Sequence, residues 1–340
     1  MKKIVIVFFV VFIAAVMNAT AQTAESYFTA GIEKAEKGLY KEALEDFSKA
    51  IEFNPKYADA YLYRGGTYHK LGNYPNAIAD FNKAIELNSQ YVEAFILRGV
   101  SKSGLGDNIG AIADHTKAIE INSQYADAYN NRGIAKFNLG DTKGAVADYT
   151  KATELNPQYA DAYSNRGTAK FVLGDKEGAI LDFTKAIELN PQFVEIYFNR
   201  GNVKSVLGDK EGAILDFTKA IELNPQFADS YFNRGVAKYS LGDKNNALAD
   251  FTKVIEFNPQ YAKAYYNRGV VKKDLRDNNG AIADYSKAIE LNPQDSKAYF
   301  NRALLYGQEG NETLACADLQ KAKELGHKEA AAMIEEFCKK

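Results

Sequence analysis

Residues 162–191 read Ala-Tyr-Ser-Asn-Arg-Gly-Thr-Ala-Lys-Phe-Val-Leu-Gly-Asp-Lys-Glu-Gly-Ala-Ile-Leu-Asp-Phe-Thr-Lys-Ala-Ile-Glu-Leu-Asn-Pro. The pattern returns every 34 residues, nine times and without insertion or deletion, from Ala24 to Glu329. Six of the seven prolines fall at the same position of this repeat. A chain with so regular a period is expected to be a stack, in which each unit packs mainly on its neighbours.

Each unit is predicted to contain two helices. Repeat positions are numbered with Ala24 as position 1 of repeat 1. Positions 1–14 and 17–30 carry apolar residues at helical spacing, and in most repeats they contain no proline. Leu-Gly-Asp, as at 139–141, separates them, because glycine ends a helix well and aspartate caps the next one. Asn-Pro at positions 31 and 32 stops the second helix. Gly at position 8 and Ala at position 20 let the helices approach closely, beside a large ring at position 24.

These residues resemble the tetratricopeptide repeat family, which has an aromatic residue at position 4, Gly at 8, Ala at 20, an aromatic at 24, Ala at 27 and Pro at 32. The resemblance covers nearly the whole chain and implies an all-α fold, a right-handed superhelical α-solenoid of helix-turn-helix repeats. Arg at position 7 and Lys at position 11 depart from the family pattern. The repeats span 24–57, 58–91, 92–125, 126–159, 160–193, 194–227, 228–261, 262–295 and 296–329, within a solenoid at 22–329, and an amphipathic segment at 330–340 is expected to be a capping helix.

The N-terminus has a different character. Lys2 and Lys3 precede an uncharged apolar run from Ile4 to Met17, and Ala19-Thr20-Ala21 offers small residues for a signal peptidase. A bilayer span takes about 20 apolar residues, so this run is short for an anchor. We therefore expect residues 1–21 to be a cleaved signal peptide and the protein to be periplasmic or secreted, with no membrane span after cleavage. An uncleaved N-terminal anchor is the alternative.

Composition argues against several other functions. The 42 Lys and Arg against 44 Asp and Glu are evenly interspersed, whereas a nucleic-acid partner would favour a clustered basic excess. His69, His115 and His327 lack ligand-spaced Cys or His neighbours, so no metal is expected. His115 stands where seven of the other eight repeats have Phe or Tyr, which indicates a packed core ring. We expect no enzyme, since signal, repeats and cap leave no room for a catalytic domain, and no cofactor.

Arginine at position 7 and aspartate at position 23 form the most regular charged pattern. Aspartate occurs in all nine repeats, whereas arginine is absent from repeat 1 alone, which has Ala30. If each arginine pairs with the aspartate of the preceding repeat, its absence from repeat 1 is explained. The sequence thus predicts pairs from Asp46–Arg64 and Asp80–Arg98 to Asp284–Arg302, each joining neighbouring repeats.

In this family the first helices line a concave groove. Comparison of repeats 5 and 6 agrees, because 174–193 and 208–227 are identical while the first helices differ at seven positions, among them 5, 9, 10 and 12. Asparagines at position 6 are predicted to grip the backbone of an extended chain, with large rings at position 5 beside them. The alternative is that the amides and rings serve packing within the stack. The candidate groove residues are Asn131, Asn165, Asn199, Asn233, Asn267, Asn301, Phe198, Phe232, Tyr266 and Phe300.

Some family members bind a partner's C-terminal carboxylate with a clamp from three adjacent repeats. This chain matches that clamp at Asn202, Asn233 and Lys263 but has Phe198 and Asn267 where the clamp needs cations. The match is therefore partial. The resemblance implies a non-enzymatic scaffold or adaptor that binds a peptide or protein partner, with a monomer favoured over an oligomer. The alternative is a structural or self-assembling solenoid that acts through its ends or its convex face.

The two cysteines, Cys316 and Cys338, both lie near the C-terminus. One is on the second helix of repeat 9 and the other on the capping helix, which should pack against each other. Export to an oxidising compartment would allow a disulfide to persist. We expect a disulfide between them, and the alternative is two buried thiols.

Overall fold

The computed structural model describes residues 23–338, so the predicted signal peptide lies outside the described residues. Nineteen helices occupy the described range. In chain order they are α1 (Ala24–Glu36), α2 (Tyr40–Phe53), α3 (Ala58–Lys70), α4 (Tyr74–Leu87), α5 (Val92–Gly104), α6 (Asn108–Ile121), α7 (Ala126–Asn138), α8 (Thr142–Leu155), α9 (Ala160–Val172), α10 (Lys176–Leu189), α11 (Val194–Leu207), α12 (Lys210–Leu223), α13 (Ala228–Ser240), α14 (Lys244–Phe257), α15 (Ala262–Asp274), α16 (Asn278–Leu291), α17 (Ser296–Gln308), α18 (Glu312–Glu324) and α19 (Ala330–Phe337). The two predicted helices of each repeat are confirmed.

The helices form two compact units, divided between residues 169 and 170 within α9. In the N-terminal unit, α1, α3, α5 and α7 contact one another in succession, as α11, α13 and α15 do in the C-terminal unit. The first helices of these adjacent repeats therefore lie side by side. We call the surface that the odd-numbered helices form within each unit the first-helix face.

Close packing between the two helices of a repeat depends on the glycine at position 8. A Cβ added to Gly65 would lie 2.8 Å from the ring of Phe81, and one added to Gly201 would lie 2.8 Å from Phe217. Both rings are fully buried. Since real Cβ atoms do not approach a ring so closely, these glycines are required for each ring to fill the space between the helices.

The turns between helices follow the predicted chemistry. Gly140 has a φ of 85°, in the left-handed region, and Asp141 then caps α8 by accepting from the Gly144 amide at 2.9 Å. Arg276 stands where the other described repeats have this left-handed glycine and adopts a φ of 67°. On the outer surface, exposed Lys–Glu pairs three residues apart form at eight second helices, as for Lys117 and Glu120 at 3.0 Å.

The predicted pairing of arginine with the preceding repeat's aspartate is wrong. Arg132 donates from Nε and Nη2 to Asp148 of its own repeat, at 2.9 and 2.7 Å, and not to Asp114. Positions 7 and 23 face each other across the closely packed helix pair, so the guanidinium meets its own aspartate first. The pairs observed within one unit are Arg64–Asp80, Arg98–Asp114, Arg132–Asp148, Arg200–Asp216, Arg234–Asp250, Arg268–Asp284 and Arg302–Asp318.

A link between repeats exists, but it uses a different atom. The Nη1 of Arg132 donates to the hydroxyl of Thr116 in the preceding repeat at 3.2 Å, and the Nη1 of Arg200 donates to Thr184 at 3.0 Å. Ser48 and Asn82 accept in the same way from the next repeat's arginine. Repeat 1 has no preceding repeat to reach, which accounts for Ala30. In that repeat Lys34, at position 11, binds Asp46 without an arginine beside it.

The C-terminal end is closed by α19, which packs on α18. Cys316 of α18 and Cys338 form a disulfide, with Cα atoms 5.8 Å apart. This is the pairing that we expect from the sequence. Within residues 23–338, none of the helices has both the length and the apolar composition to cross a bilayer.

Candidate functional site

The position-6 asparagines all lie on first helices and are half-buried. Three of the asparagines in the C-terminal unit donate a hydrogen bond from their amide nitrogen to another group of the protein. Asn233 donates to Asn202 at 2.7 Å, Asn267 to the carbonyl of Lys263 at 2.8 Å, and Asn301 to the hydroxyl of Tyr266 at 3.0 Å. Within the described residues no donor reaches the side-chain oxygens of these three amides, so each retains an acceptor.

Two other asparagines have no hydrogen-bond partner among the residues that the structure describes. These are Asn131 in the N-terminal unit and Asn199 in the C-terminal unit, both half-buried. In the N-terminal unit, Asn165 donates to Asn130 at 3.0 Å, and Asn130 donates to the Tyr159 hydroxyl at 3.4 Å. The asparagines of repeats 4 to 9 thus have spare hydrogen-bonding capacity, although several also hold neighbouring helices together.

Three of the position-5 rings pack on neighbouring rings with part of their surface and leave the rest exposed to solvent. Phe232 contacts Phe251 and Tyr261, with ring centroids 5.7 and 5.3 Å away, and remains half-buried. Phe198 packs in the same way on Phe217 and Phe227, and Tyr266 on Tyr285. These three rings are half-buried, so each leaves part of its surface exposed on the first-helix face.

Phe300 is placed differently from the other three rings. It is only 8% exposed and stacks on His327 with a centroid distance of 4.0 Å. His327 comes from the turn before α19. Phe300 therefore fixes the capping helix and offers little surface to a partner.

The residues that match the carboxylate clamp are only partly assembled. Asn202 accepts from Asn233, as described above, and Lys263 is exposed on α15. Phe198 and Asn267 occupy the places of the two missing cations. One exposed ammonium and a pair of amides make a weaker site for a carboxylate than three converging cations.

A second row of contacts on this face is not among the sequence predictions. Tyrosines at position 34 donate to the acid at position 2 of the same repeat: Tyr125 to Glu93 and Tyr261 to Asp229, both at 3.3 Å, and Tyr91 to Asp59. Burial, followed by the nearby carboxylate, raises the pKa of Tyr125. These tyrosines hold the position-2 carboxylates in place on the face. Both positions repeat with the period, and that is the signal from which the contact could have been found.

The geometry defines an all-helical repeat protein whose first helices present amides, ring edges and carboxylates at regular intervals. The chain belongs to the tetratricopeptide repeat family, since the family model described as tetratricopeptide repeat matches half of it, at 58–91, 126–159, 160–193, 228–261 and 262–295. A further model, described as TPR repeat, matches 31–72 and 206–242. Such solenoids present extended binding surfaces, and the fold of this chain is therefore that of a protein-interaction scaffold.

Solved structures support the same fold. The structure titled "YrrB: a TPR protein with an unusual peptide-binding site" is 29% identical, with a TM-score of 0.50 over 54% of this chain and 95% of that one. A tetratricopeptide repeat protein from Parabacteroides merdae is 21% identical, with a TM-score of 0.52 over 73% of this chain and 98% of that one. PilF of Pseudomonas aeruginosa is 19% identical, with a TM-score of 0.55 over 59% and 92%. The last two show the fold alone.

A curated relative matches a shorter stretch. Uncharacterized protein MJ0572 of Methanocaldococcus jannaschii is 47% identical over 45 residues, which is 13% of this chain. The match spans about half, 52%, of the length of that relative.

Proposed function

We propose that the protein is an exported, non-enzymatic adaptor that binds an extended peptide or protein segment along its first-helix face. The apolar N-terminal run after Lys2 and Lys3, with small residues at 19–21, supports export. Retention by an uncleaved N-terminal anchor is the alternative location. The near balance of 42 basic and 44 acidic residues favours a protein partner over a nucleic acid.

One observation carries the proposal: the spare hydrogen-bonding capacity of the position-6 asparagines. Asn199 has no partner within residues 23–338, and the nearby Asn233 and Asn267 keep a free side-chain oxygen. An extended peptide presents an N–H and a C=O at each residue and has no internal hydrogen bonds to satisfy them. An amide offers both a donor and an acceptor, so a row of amides suits a backbone of varied sequence.

The ring edges supply the apolar part of such a site. Phe198, Phe232 and Tyr266 lie one residue before the amides on α11, α13 and α15, and all three are half-buried. A peptide side chain laid against them would cover apolar surface that is now exposed to water. The solved structure whose title gives it a peptide-binding site has the same fold at 29% identity, which supports this use of the fold.

Site-specific photo-cross-linking in the native cell tests the proposal. A photo-reactive residue at position 199 is expected to capture a partner protein, whereas one at the outer-surface position 279 is not. The purified partner, or its cross-linked segment, should then bind the Asn199→Ala, Asn267→Ala double variant at least about tenfold more weakly, since each lost hydrogen bond contributes about 1 kcal/mol. Neither change removes a contact between helices, because Asn267 donates only within α15.

Asn279→Ala is the matched control for the loss of an exposed amide, and it should bind normally.

The second candidate function is self-assembly, favoured by Leu181 and Leu215. These leucines are each 71% exposed at the same position of α10 and α12, where most repeats have alanine. Equal cross-linking from positions 199 and 279, together with oligomers in sedimentation velocity that Leu181→Ala and Leu215→Ala abolish, would replace the adaptor with self-assembly.

A further inference from the structure

A hollow of about 460 Å³ opens in the N-terminal unit, between the first helices of repeats 1, 2 and 3. Its walls are mainly apolar, and Leu62 and Tyr63 of α3 and Leu97 of α5 contribute to them. Tyr63 is 44% exposed. The hollow lies outside the part of the face that carries the asparagines and rings described above. It is therefore a separate feature of the molecule.

Gly66 creates the hollow. At the same position, position 9, six other repeats have Ile, Val or Leu, and Val100 of the adjacent repeat packs against a core cluster. A Cβ added at Gly66 would meet no heavy atom within 4 Å, whereas one at its neighbour Gly65 would collide with Phe81. Packing therefore requires Gly65 but not Gly66. A glycine inside a helix lowers the stability of that helix. At Gly66 no packing requirement accounts for this loss of stability. The result is open space.

A partly buried polar contact shapes one wall of the hollow. His69 lines it, and its Nδ1 lies 2.9 Å from the hydroxyl of Ser101. That hydroxyl already donates to the Leu97 carbonyl at 2.8 Å, so it accepts from Nδ1–H. The other ring nitrogen of neutral His69 is then left as an acceptor. Burial lowers the pKa of His69, which favours this neutral form.

Carboxylates predominate among the charges at the rim. Glu36 and Glu93 line the hollow together with Lys70, and Asp59 lies on the same stripe of α3 as Tyr63 and Gly66. These four side chains are exposed, and none of them makes an ion pair within residues 23–338. Two lining carboxylates against one lining ammonium, with Asp59 further along the same stripe, complement a cationic segment better than an anionic one.

We propose that this hollow is a second binding site, which receives a large apolar side chain of an extended peptide that carries Lys or Arg beside it. The inference rests on the proposed function, because it takes the first-helix face as the surface that binds peptides. The hollow accepts the apolar side chain, and Glu36, Asp59 and Glu93 attract the neighbouring cation. The free nitrogen of His69 can accept a hydrogen bond from the peptide. The site thus recognises a short sequence pattern in the peptide, one apolar residue next to one basic residue.

Panning a random peptide library on the wild-type protein tests the proposal, and Gly66→Val is the informative variant. Valine occupies this position in repeats 3, 7 and 8 and has open space at Gly66, so the variant is expected to melt at or above the wild-type temperature. Peptides with an apolar residue flanked by Lys or Arg should be enriched. They should bind Gly66→Val at least about tenfold more weakly, because burial of one large aliphatic side chain contributes enough free energy to change the affinity by that factor.

Two further variants make the outcome decisive. Gly307→Val makes the same change at another helical glycine with no atom within 4 Å of its added Cβ, and it should bind normally. Glu93→Lys changes an exposed residue and should weaken binding of the basic peptides by about tenfold at low salt while neutral analogues are unaffected. Enriched peptides that bind Gly66→Val and Glu93→Lys as tightly as the wild type overturn the proposal.

The same panning separates failure of this inference from failure of the proposed function. Peptides that lose affinity for the Asn199→Ala, Asn267→Ala variant but not for Gly66→Val would leave the proposed function intact and remove the hollow as a site. Peptides unaffected by any of these variants would remove both. Binding of small apolar molecules such as 1-anilinonaphthalene-8-sulfonate to the hollow, without any enriched peptide, would also overturn the peptide assignment.

Discussion

At the scale of single residues, each interior arginine holds three oxygen atoms in place. In repeat 4, Arg132 donates twice to Asp148 and once to Thr116, while Lys136 binds the same carboxylate at 2.7 Å. Asp148 is 4% exposed, so its charge depends on these partners. The ion pair therefore fastens the two helices of one repeat, and the remaining N–H fastens that repeat to its predecessor.

Removal of the carboxylate should be much more costly than removal of the hydroxyl. Asp148→Ala leaves Arg132 and Lys136 without their carboxylate in a largely buried place, and we expect it to lower the free energy of unfolding by about 3 kcal/mol or more. Thr116→Val should lower it by about 1 kcal/mol. Urea unfolding followed by circular dichroism measures both. In a double-mutant cycle, a stronger coupling of Arg132 to Asp114 than to Asp148 would contradict the observed pairing.

The expected pairing failed for a reason inherent in repeated sequences. Every repeat carries its aspartate at the same position, so the sequence shows which residue types meet but not which copies. The absence of arginine from repeat 1 is an end effect, and it points correctly to a contact with the preceding repeat. That contact is made by the serine, threonine or asparagine at position 25. Repeat 9 has Gln320 at this position and no following arginine.

His115 is the second residue with a measurable consequence. It is 1% exposed in place of the usual Phe or Tyr, and its Nδ1 has no hydrogen-bond partner among the described residues. Burial lowers the pKa of His115 from 6.5 to about 4. Between those values the unfolded chain binds more protons than the folded one, so stability falls as the pH is lowered through this window, by roughly 3 kcal/mol in total.

Replacement of His115 by Phe should remove this pH dependence. The rings of His115 and Phe81 stand equally close over the glycines of their repeats, so phenylalanine fits the site. Thermal or urea unfolding at pH 7, 5.5 and 4.5 compares the two proteins, and buried carboxylates affect both alike. We expect the stability difference between variant and wild type to widen as the pH falls. A constant difference across the three values would show that His115 does not titrate as described.

At the scale of helices and turns, most features were predictable because they depend on local chemistry. Glycine, aspartate and Asn-Pro mark the ends of helices, and the small residues at positions 8 and 20 fix where a pair packs. Residues that serve two purposes were harder to interpret. The position-6 asparagines are polar and periodic, but the sequence does not show that Asn301 reaches the Tyr266 hydroxyl while Asn199 reaches no partner.

One turn departs from the rule that glycine takes the left-handed conformation. Arg276 adopts a φ of 67° where the equivalent residues are glycines, such as Gly242 with a φ of 84°. A non-glycine residue pays roughly 1–2 kcal/mol in this region. Arg276→Gly should therefore raise the free energy of unfolding by about 1 kcal/mol, after allowance for the greater freedom of glycine in the unfolded chain.

Gly242→Arg is the reverse change in the preceding repeat, and it should lower stability by a similar amount. Differential scanning calorimetry of both variants provides the measurement. A loss of stability in Arg276→Gly would mean that the arginine side chain contributes more than its backbone costs.

At the scale of the whole molecule, the period determined the number and order of the helices, since a constant spacing leaves one consistent way to count them. The hollow at Gly66 depends instead on a single departure from the period. A missing side chain is visible in the sequence when position 9 is compared across repeats, but the space it leaves is a property of three adjacent helices. The identity of the partner depends on the partner's own chemistry, which this sequence does not contain. The first-helix face was therefore interpreted from the contacts that its residues make.

The bond between Cys316 and Cys338 determines how the C-terminal end responds to a mechanical pull. α19 has only eight residues, too few to be stable alone, and tension at the chain end would otherwise peel it away first. With the cysteines joined, tension passes from residue 338 through the sulfur atoms directly into α18. α19 and the turn before it are bypassed. The first structure that such a force must break is the last complete repeat.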